Sequence, residues 1–120
     1  MAEGEIRALQ GLLQQFATDR DWDQFHNPKN LVMALTGEVG ELVEIFQWLT
    51  PDEAAAAMSV PAVGQHISDE LADVFGYVLR VADILDVDLV EALNSKLVTN
   101  ARKYPVDKAR GSSAKYSDLK

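Results

Sequence analysis

Three features of this 120-residue chain predict an all-α fold. Apolar residues recur at helical spacing in four long stretches. No stretch alternates polar and apolar residues as a half-buried strand does. The breaks between the stretches carry helix-capping residues rather than hairpin turns. Four main helices with short connections make a bundle of antiparallel neighbours.

The first helix is expected over residues 5–20, with Ile6, Leu9, Leu12, Leu13 and Phe16 on one face. Residues 21–26, DWDQFH, form a loop dense in aromatics. The second helix runs over 28–49. Asn27 suits its N-cap, Pro28 its first turn, and Leu31, Leu35, Leu42, Ile45, Phe46 and Leu49 its buried stripe. Thr50-Pro51-Asp52-Glu53 has the pattern of a capping box, which predicts a short helix over the alanine run. Pro61 and Gly64 mark a break before a second long helix over 65–85, whose stripe is Ile67, Leu71, Val74, Val78, Val81 and Leu85. Asp88 caps a last helix with a Leu89, Leu93 and Leu97 stripe, and Pro105 ends it. The tail from Val106, rich in Lys, Ser and Gly, is expected to lack regular structure. The division is a helical domain over 1–104 and a basic tail over 105–120.

Composition narrows the function classes. Hydrophobic residues are 48% and charged residues 25% of the chain, ordinary for one globular domain with a modest core. With no cysteine there is no disulfide, thiol nucleophile or zinc–thiolate site, which suits a reducing interior. No apolar run is long enough to span a bilayer, and residues 1–10 do not read as a secretion signal. The expectation is a soluble cytoplasmic protein without membrane association. A net charge of −8 argues against nucleic-acid binding. The charge is uneven: residues 1–95 carry 17 acids and 4 Lys/Arg, whereas residues 96–120 carry 2 and 7. An acidic body and a basic end can bind a metal ion and an anion side by side.

Carboxylates interrupt the apolar faces of both long helices. Glu38 stands in the middle of the first stripe, seven residues after Leu31 and four before Leu42, with Glu41 one turn on. Glu70 and Asp73 flank the second stripe, and Tyr77 continues that flank. An ionised carboxylate on a core-facing stripe costs several kcal/mol unless it is paired. If the two helices pack together, the pairs Glu38-x-x-Glu41 and Glu70-x-x-Asp73 converge, and a cation between them relieves their repulsion. Oxygen ligands without His or Cys point to Mg²⁺, or to Mn²⁺ in its place. A di-iron bundle requires Glu-x-x-His pairs, and neither His26 nor His66 follows a glutamate at that spacing. On the last helix Lys96 and Asn100 present an ammonium and an amide on one side, groups suited to phosphate and sugar, or simply to solvent. Trp22, Phe25 and His26, with Trp48 at the end of the acidic helix, can box a base or serve only as core.

The blocks DWDQFHNPKN, GEVGELVEIFQW, DELADVFGY and SKLVTNARKYP with the following ARGSSAKY occur in order over nearly the whole chain. In them the chain resembles the MazG-like all-α nucleoside triphosphate pyrophosphohydrolases, and within these the dCTP pyrophosphatase branch. The resemblance implies Mg²⁺-dependent hydrolysis of deoxynucleoside triphosphates to the monophosphate and pyrophosphate, a nucleotide-pool function, on a four-helix fold assembled as a homotetramer. It implies Glu38, Glu41, Glu70 and Asp73 as metal ligands, with Glu38 or Glu41 as the base that activates water. It places Lys96, Asn100 and Tyr77 on the phosphate and sugar side, Arg102, Lys103 and Tyr104 over the phosphates, and Trp22, His26 and Trp48 around the base. The sequence departs from the wider family at Gly37, where a second glutamate is common. The alternative to an enzyme is a helical bundle that binds nucleotide without turning it over.

Overall fold

The computed structural model describes residues 2–119, which contain no strand. They divide into two compact units, Met1–Asp86 and Val87–Lys120. Four helices belong to the first unit: α1 (Ala2–Asp19), α2 (Pro28–Phe46), the short α3 (Pro51–Ala55) and α4 (Pro61–Ile84). Both α1 and α2 pack on α4, which is the central element of the unit.

The local start signals act as the sequence predicts. Asn27 Oδ1 accepts from the Asn30 amide at 2.9 Å, with Pro28 in the first turn of α2. At α3 the Thr50 hydroxyl accepts from the Glu53 amide while Glu53 accepts from the Thr50 amide, a complete capping box. The α4 start differs from the expectation. Pro61 opens the helix and Gly64 lies within it rather than at a break. Pro61 needs no amide partner at that position. Gly64 is buried where an added Cβ would stand 3.2 Å from the Met58 carbonyl oxygen, so the 3₁₀ turn Ala57–Ser59 can close onto α4 only over a glycine.

The small core centres on Leu31, Ile67, Leu79 and Ala82, with Ala17 of α1 and Ala57 of the 3₁₀ turn. The inner stripe of α2 is the predicted one. That of α1 is not: Leu9, Leu12 and Phe16 are exposed, while Ile6, Gln10, Leu13, Gln14 and Ala17 turn inward. Gln10 donates to the Leu79 carbonyl at 3.0 Å, so the two glutamines occupy inward positions because α4 offers them polar partners. Leu71 and Leu85, expected on the α4 stripe, are exposed as well. Val32, Val39 and Val43 on α2, with Leu71 and Phe75 on α4, leave apolar surface that this unit does not cover.

The second unit holds α5 (Leu89–Lys103) and the short α6 (Val106–Ala109). Asp88 accepts from the Glu91 amide at 3.0 Å and caps α5. The tail is more ordered than its composition suggests: it holds α6 and a 3₁₀ turn at Tyr116–Asp118, and aromatic contacts staple the turn to the end of α5. The Tyr104 and Tyr116 rings meet edge-on at 6.3 Å, and Lys103 Nζ lies 4.8 Å from the centre of the Tyr116 ring.

Candidate active site

Oxygen atoms of Glu38, Glu41 and Glu70 lie within 4.8 Å of one another where α2 packs on α4. Glu70, expected on a flank, is buried at 8% exposure, whereas Glu41 is exposed. The Oε2 atoms of Glu38 and Glu70 are buried and have no hydrogen-bond partner. A carboxylate oxygen is an acceptor, so it needs a donor or a cation to be satisfied. Without a cation a proton serves. Hydrogen bonding to Glu70, then burial and the nearness of Glu41 and Asp73, push the Glu38 carboxyl up to about 7. The donor set is all carboxylate oxygen, drawn close together, and two of its oxygens are buried without partners, so these residues fit a hard divalent cation. Asp73 stands outside this triad, exposed, but close enough for its charge to act on Glu38. Burial, with the charges of Glu38 and Asp73, also holds the Tyr77 phenol above its ordinary value and so protonated.

Beside the acids a cavity of about 300 Å³ opens between α1, the 21–26 loop and α4, at the low end of ligand-pocket sizes. Leu13, Phe16 and Trp22 wall one side; Ala72, Gly76 and Tyr77 form another; Asp73, His26 and Arg80 supply the polar groups. Gly76 leaves the α4 wall flat. The Phe16 and Trp22 rings meet edge-on at 5.7 Å, and Trp22 lies 6.3 Å from His26. Phe25 and Trp48 are not part of this lining. Trp48 is 86% exposed, two residues past the end of α2.

Arg80, which sequence reasoning did not single out, organises the far wall. It is 4% exposed. Its Nε donates to His26 Nδ1 at 3.1 Å, one terminal nitrogen donates to Gln14 Oε1, and the other donates to Asp23 Oδ1 at 3.0 Å. Asp23 also accepts from Thr18 at 2.8 Å and from Gln14 at 2.9 Å, and the Thr18 bond above all holds its carboxyl below the ordinary range. Burial, then the charge of Arg80, hold His26 below the usual imidazole value and therefore neutral. A signal for Arg80 does exist in the sequence. It is the one Lys or Arg between Lys29 and Lys96, and it continues the Asp73–Tyr77 flank by one more turn.

Lys96, Asn100, Arg102, Lys103 and Tyr104 all belong to the second unit. Lys96 is exposed, Asn100 half-buried, and Lys103 and Tyr104 hold Tyr116 as described.

The MazG-like family model matches residues 34–119. The chain is 44% identical over 117 residues to dCTP pyrophosphatase 1 of Mus musculus, covering 98% of this chain and 69% of that protein. The same figures hold for dCTP pyrophosphatase 1 of Homo sapiens. Among solved structures, a pyrophosphatase from Archaeoglobus fulgidus superposes with a TM-score of 0.78 at 35% identity, over 84% of this chain and 93% of that one.

Proposed function

Since the chain belongs to the MazG-like family and is a nucleoside triphosphate pyrophosphohydrolase, we propose that it hydrolyses dCTP and 5-modified dCTP to the monophosphate and pyrophosphate with Mg²⁺. The observation that carries the catalytic half of this reading is the pair of orphaned carboxylate oxygens of Glu38 and Glu70, with Glu41 within reach.

Glu38, Glu41 and Glu70 would hold the cation, and Asp73 would add its charge nearby. A bound Mg²⁺ supplies charge stabilisation at the phosphates and lowers the pKa of a coordinated water. The protein's part is to hold the phosphates and to remove a proton. Glu38 or Glu41 takes the proton of the attacking water. Water attacks a phosphorus, the bond between the α- and β-phosphates breaks, and pyrophosphate leaves. No activated nucleophilic side chain is evident at the site among the described residues, so direct attack by water is the simpler course.

The base enters the cavity of Trp22 and His26. Preference for a pyrimidine is assigned on family resemblance, and the apolar wall of Leu13 and Ala72 tolerates a methyl group at C5. Lys96, Asn100, Arg102, Lys103 and Tyr104 are assigned to the phosphates and sugar on charge and family resemblance. Trp48, so exposed in one copy, is assigned to the base pocket on resemblance alone. The uncovered apolar residues Val32, Val39, Val43 and Phe75 support assembly with further copies, and we take the working form to be a homotetramer whose minimal active unit is a dimer.

The test is pyrophosphate release from dCTP, 5-methyl-dCTP, dTTP and dATP with Mg²⁺ and in excess EDTA, on protein sized by light scattering. The expected result is Mg²⁺-dependent release with dCTP and 5-methyl-dCTP preferred, from a tetramer. Full activity in EDTA removes the metal assignment, equal kcat/KM for dCTP and dATP removes the base assignment, and an active monomer removes the assembly.

A further inference from the structure

We propose that Arg80 is a positioning residue for base selection: its bond to His26 Nδ1 fixes the imidazole as the Nε2–H donor, which pairs with cytosine and opposes thymine and uracil. The inference rests on the pyrophosphohydrolase reading for its ligand class, and on the cavity wall for everything else.

A guanidinium has donors only and stays charged. When its Nε–H points at Nδ1 from 3.1 Å, that nitrogen must offer a lone pair. The neutral ring then carries its single proton on Nε2. A doubly protonated ring would set N–H against N–H and place two cations side by side. Nor can the guanidinium turn away, because its terminal nitrogens are tied to Gln14 and Asp23, and Asp23 is held by Thr18 and Gln14. Four residues from α1, the loop and α4 thus serve to set one proton.

Among the described residues Nε2 makes no hydrogen bond, and His26 lines the cavity beside Trp22. The neighbouring wall is largely apolar, so this donor has few substitutes. Cytosine presents a bare acceptor at N3 flanked by the O2 acceptor, whereas thymine and uracil carry N3–H. A donor facing that edge is satisfied by cytosine. Facing an N–H, both groups lose water and gain nothing, which corresponds to roughly 10- to 100-fold in affinity.

The test uses the full chain with ¹⁵N-labelled histidine. Long-range ¹H–¹⁵N spectra report the His26 tautomer. Calorimetry reports binding of dCMP, dUMP and 3-deaza-dCMP, in which C–H replaces N3. Wild type is expected to show protonated Nε2 and bare Nδ1, and to bind dCMP at least tenfold more tightly than the other two. Arg80→Met should mix the tautomers and bring the three affinities within about threefold, while Arg80→Lys, which keeps an N–H donor, restores both. An Nδ1–H or imidazolium His26 in the wild type overturns the proposal, as does an Arg80→Met protein with its dCMP preference intact. Should Arg80→Met fail to fold by circular dichroism, the wild-type tautomer and the 3-deaza-dCMP comparison decide alone. Failure to release pyrophosphate from any triphosphate would sink the parent reading and not this one, since every readout here is of tautomer or binding.

Discussion

Two clusters of buried charge share α4, at Glu70 and at Arg80 nearly three turns on, and they are built on opposite terms. At Arg80 each of the three guanidinium nitrogens finds an acceptor: Gln14, Asp23 and His26 take the hydrogen bonds, and Thr18 also donates to Asp23. At Glu70 and Glu38 two buried oxygens have no partner, and their closeness with burial pushes the Glu38 carboxyl up to about 7. The first arrangement is complete without a ligand and serves to fix geometry. The second is incomplete until a cation arrives. A satisfied buried charge preorganises; an unsatisfied one binds.

The comparison can be broken most severely at the incomplete end. Glu70→Gln removes one charge from the triad and should lower turnover by about 10³-fold or more, on the scale of losing a transition-state stabiliser. Its helical circular dichroism should be unchanged, and Mg²⁺ should raise its melting temperature less than it raises that of the wild type. Wild-type turnover would remove Glu70 from the metal site. At the complete end the expected damage is to folding instead. Arg80→Met takes the buried guanidinium away from Gln14, Asp23 and the half-buried His26 and should lower the urea unfolding midpoint more than Glu70→Gln does. An unchanged midpoint would mean that the network is ornamental.

A smaller effect is expected in the second unit. Lys96→Ala should raise KM for dCTP about tenfold with kcat little changed, as for one lost charge-assisted contact. An unchanged KM returns Lys96 to the solvent-exposed surface on which it sits in one copy.

The subtlest contrast is in pH. Glu38 titrates near 7 in the folded protein against 4.5 for a free glutamate, so the folded state holds its proton more tightly than the unfolded one. Its contribution to metal-free stability is therefore complete below about 4.5 and lost as pH rises through 7. Asp23, held low by Thr18, runs the other way: its contribution is present above 3.8 and lost in stronger acid. Melting curves in EDTA from pH 5 to 8 should fall with pH for the wild type and flatten for Glu38→Gln. Identical slopes would show that the triad does not share a proton.

What the sequence makes legible follows from which forces are local. The caps at Asn27, Thr50 and Asp88 are contacts over three residues, and all three form. Glu38 and Glu41 announce themselves because one helix stripe is enough to expose a misplaced charge, and Glu70 is found by the same logic, although its burial is deeper than its flank position implied. Arg80 escapes that logic. Its partners Gln14, Asp23 and His26 lie 66, 57 and 54 residues away, and no window of one helix contains them. For the same reason the inner face of α1 reads wrongly. Leucines and a phenylalanine outbid Gln10 and Gln14 on hydropathy, and only α4 reveals that the glutamines have partners there. The exposure of Leu71, Phe75 and the α2 valines is a different case, since a single chain cannot show what covers them.

The span of those bonds has a consequence in time. Helices α1, α2 and α4 can each form from neighbours three and four residues away, in microseconds or less. The wall of the cavity cannot, because Arg80 must wait for a segment that left the ribosome more than fifty residues earlier. Long-range closure is the slow part of folding. Secondary structure should therefore be complete while the 21–26 loop is still loose, and the recognition surface is the last region of the first unit to mature.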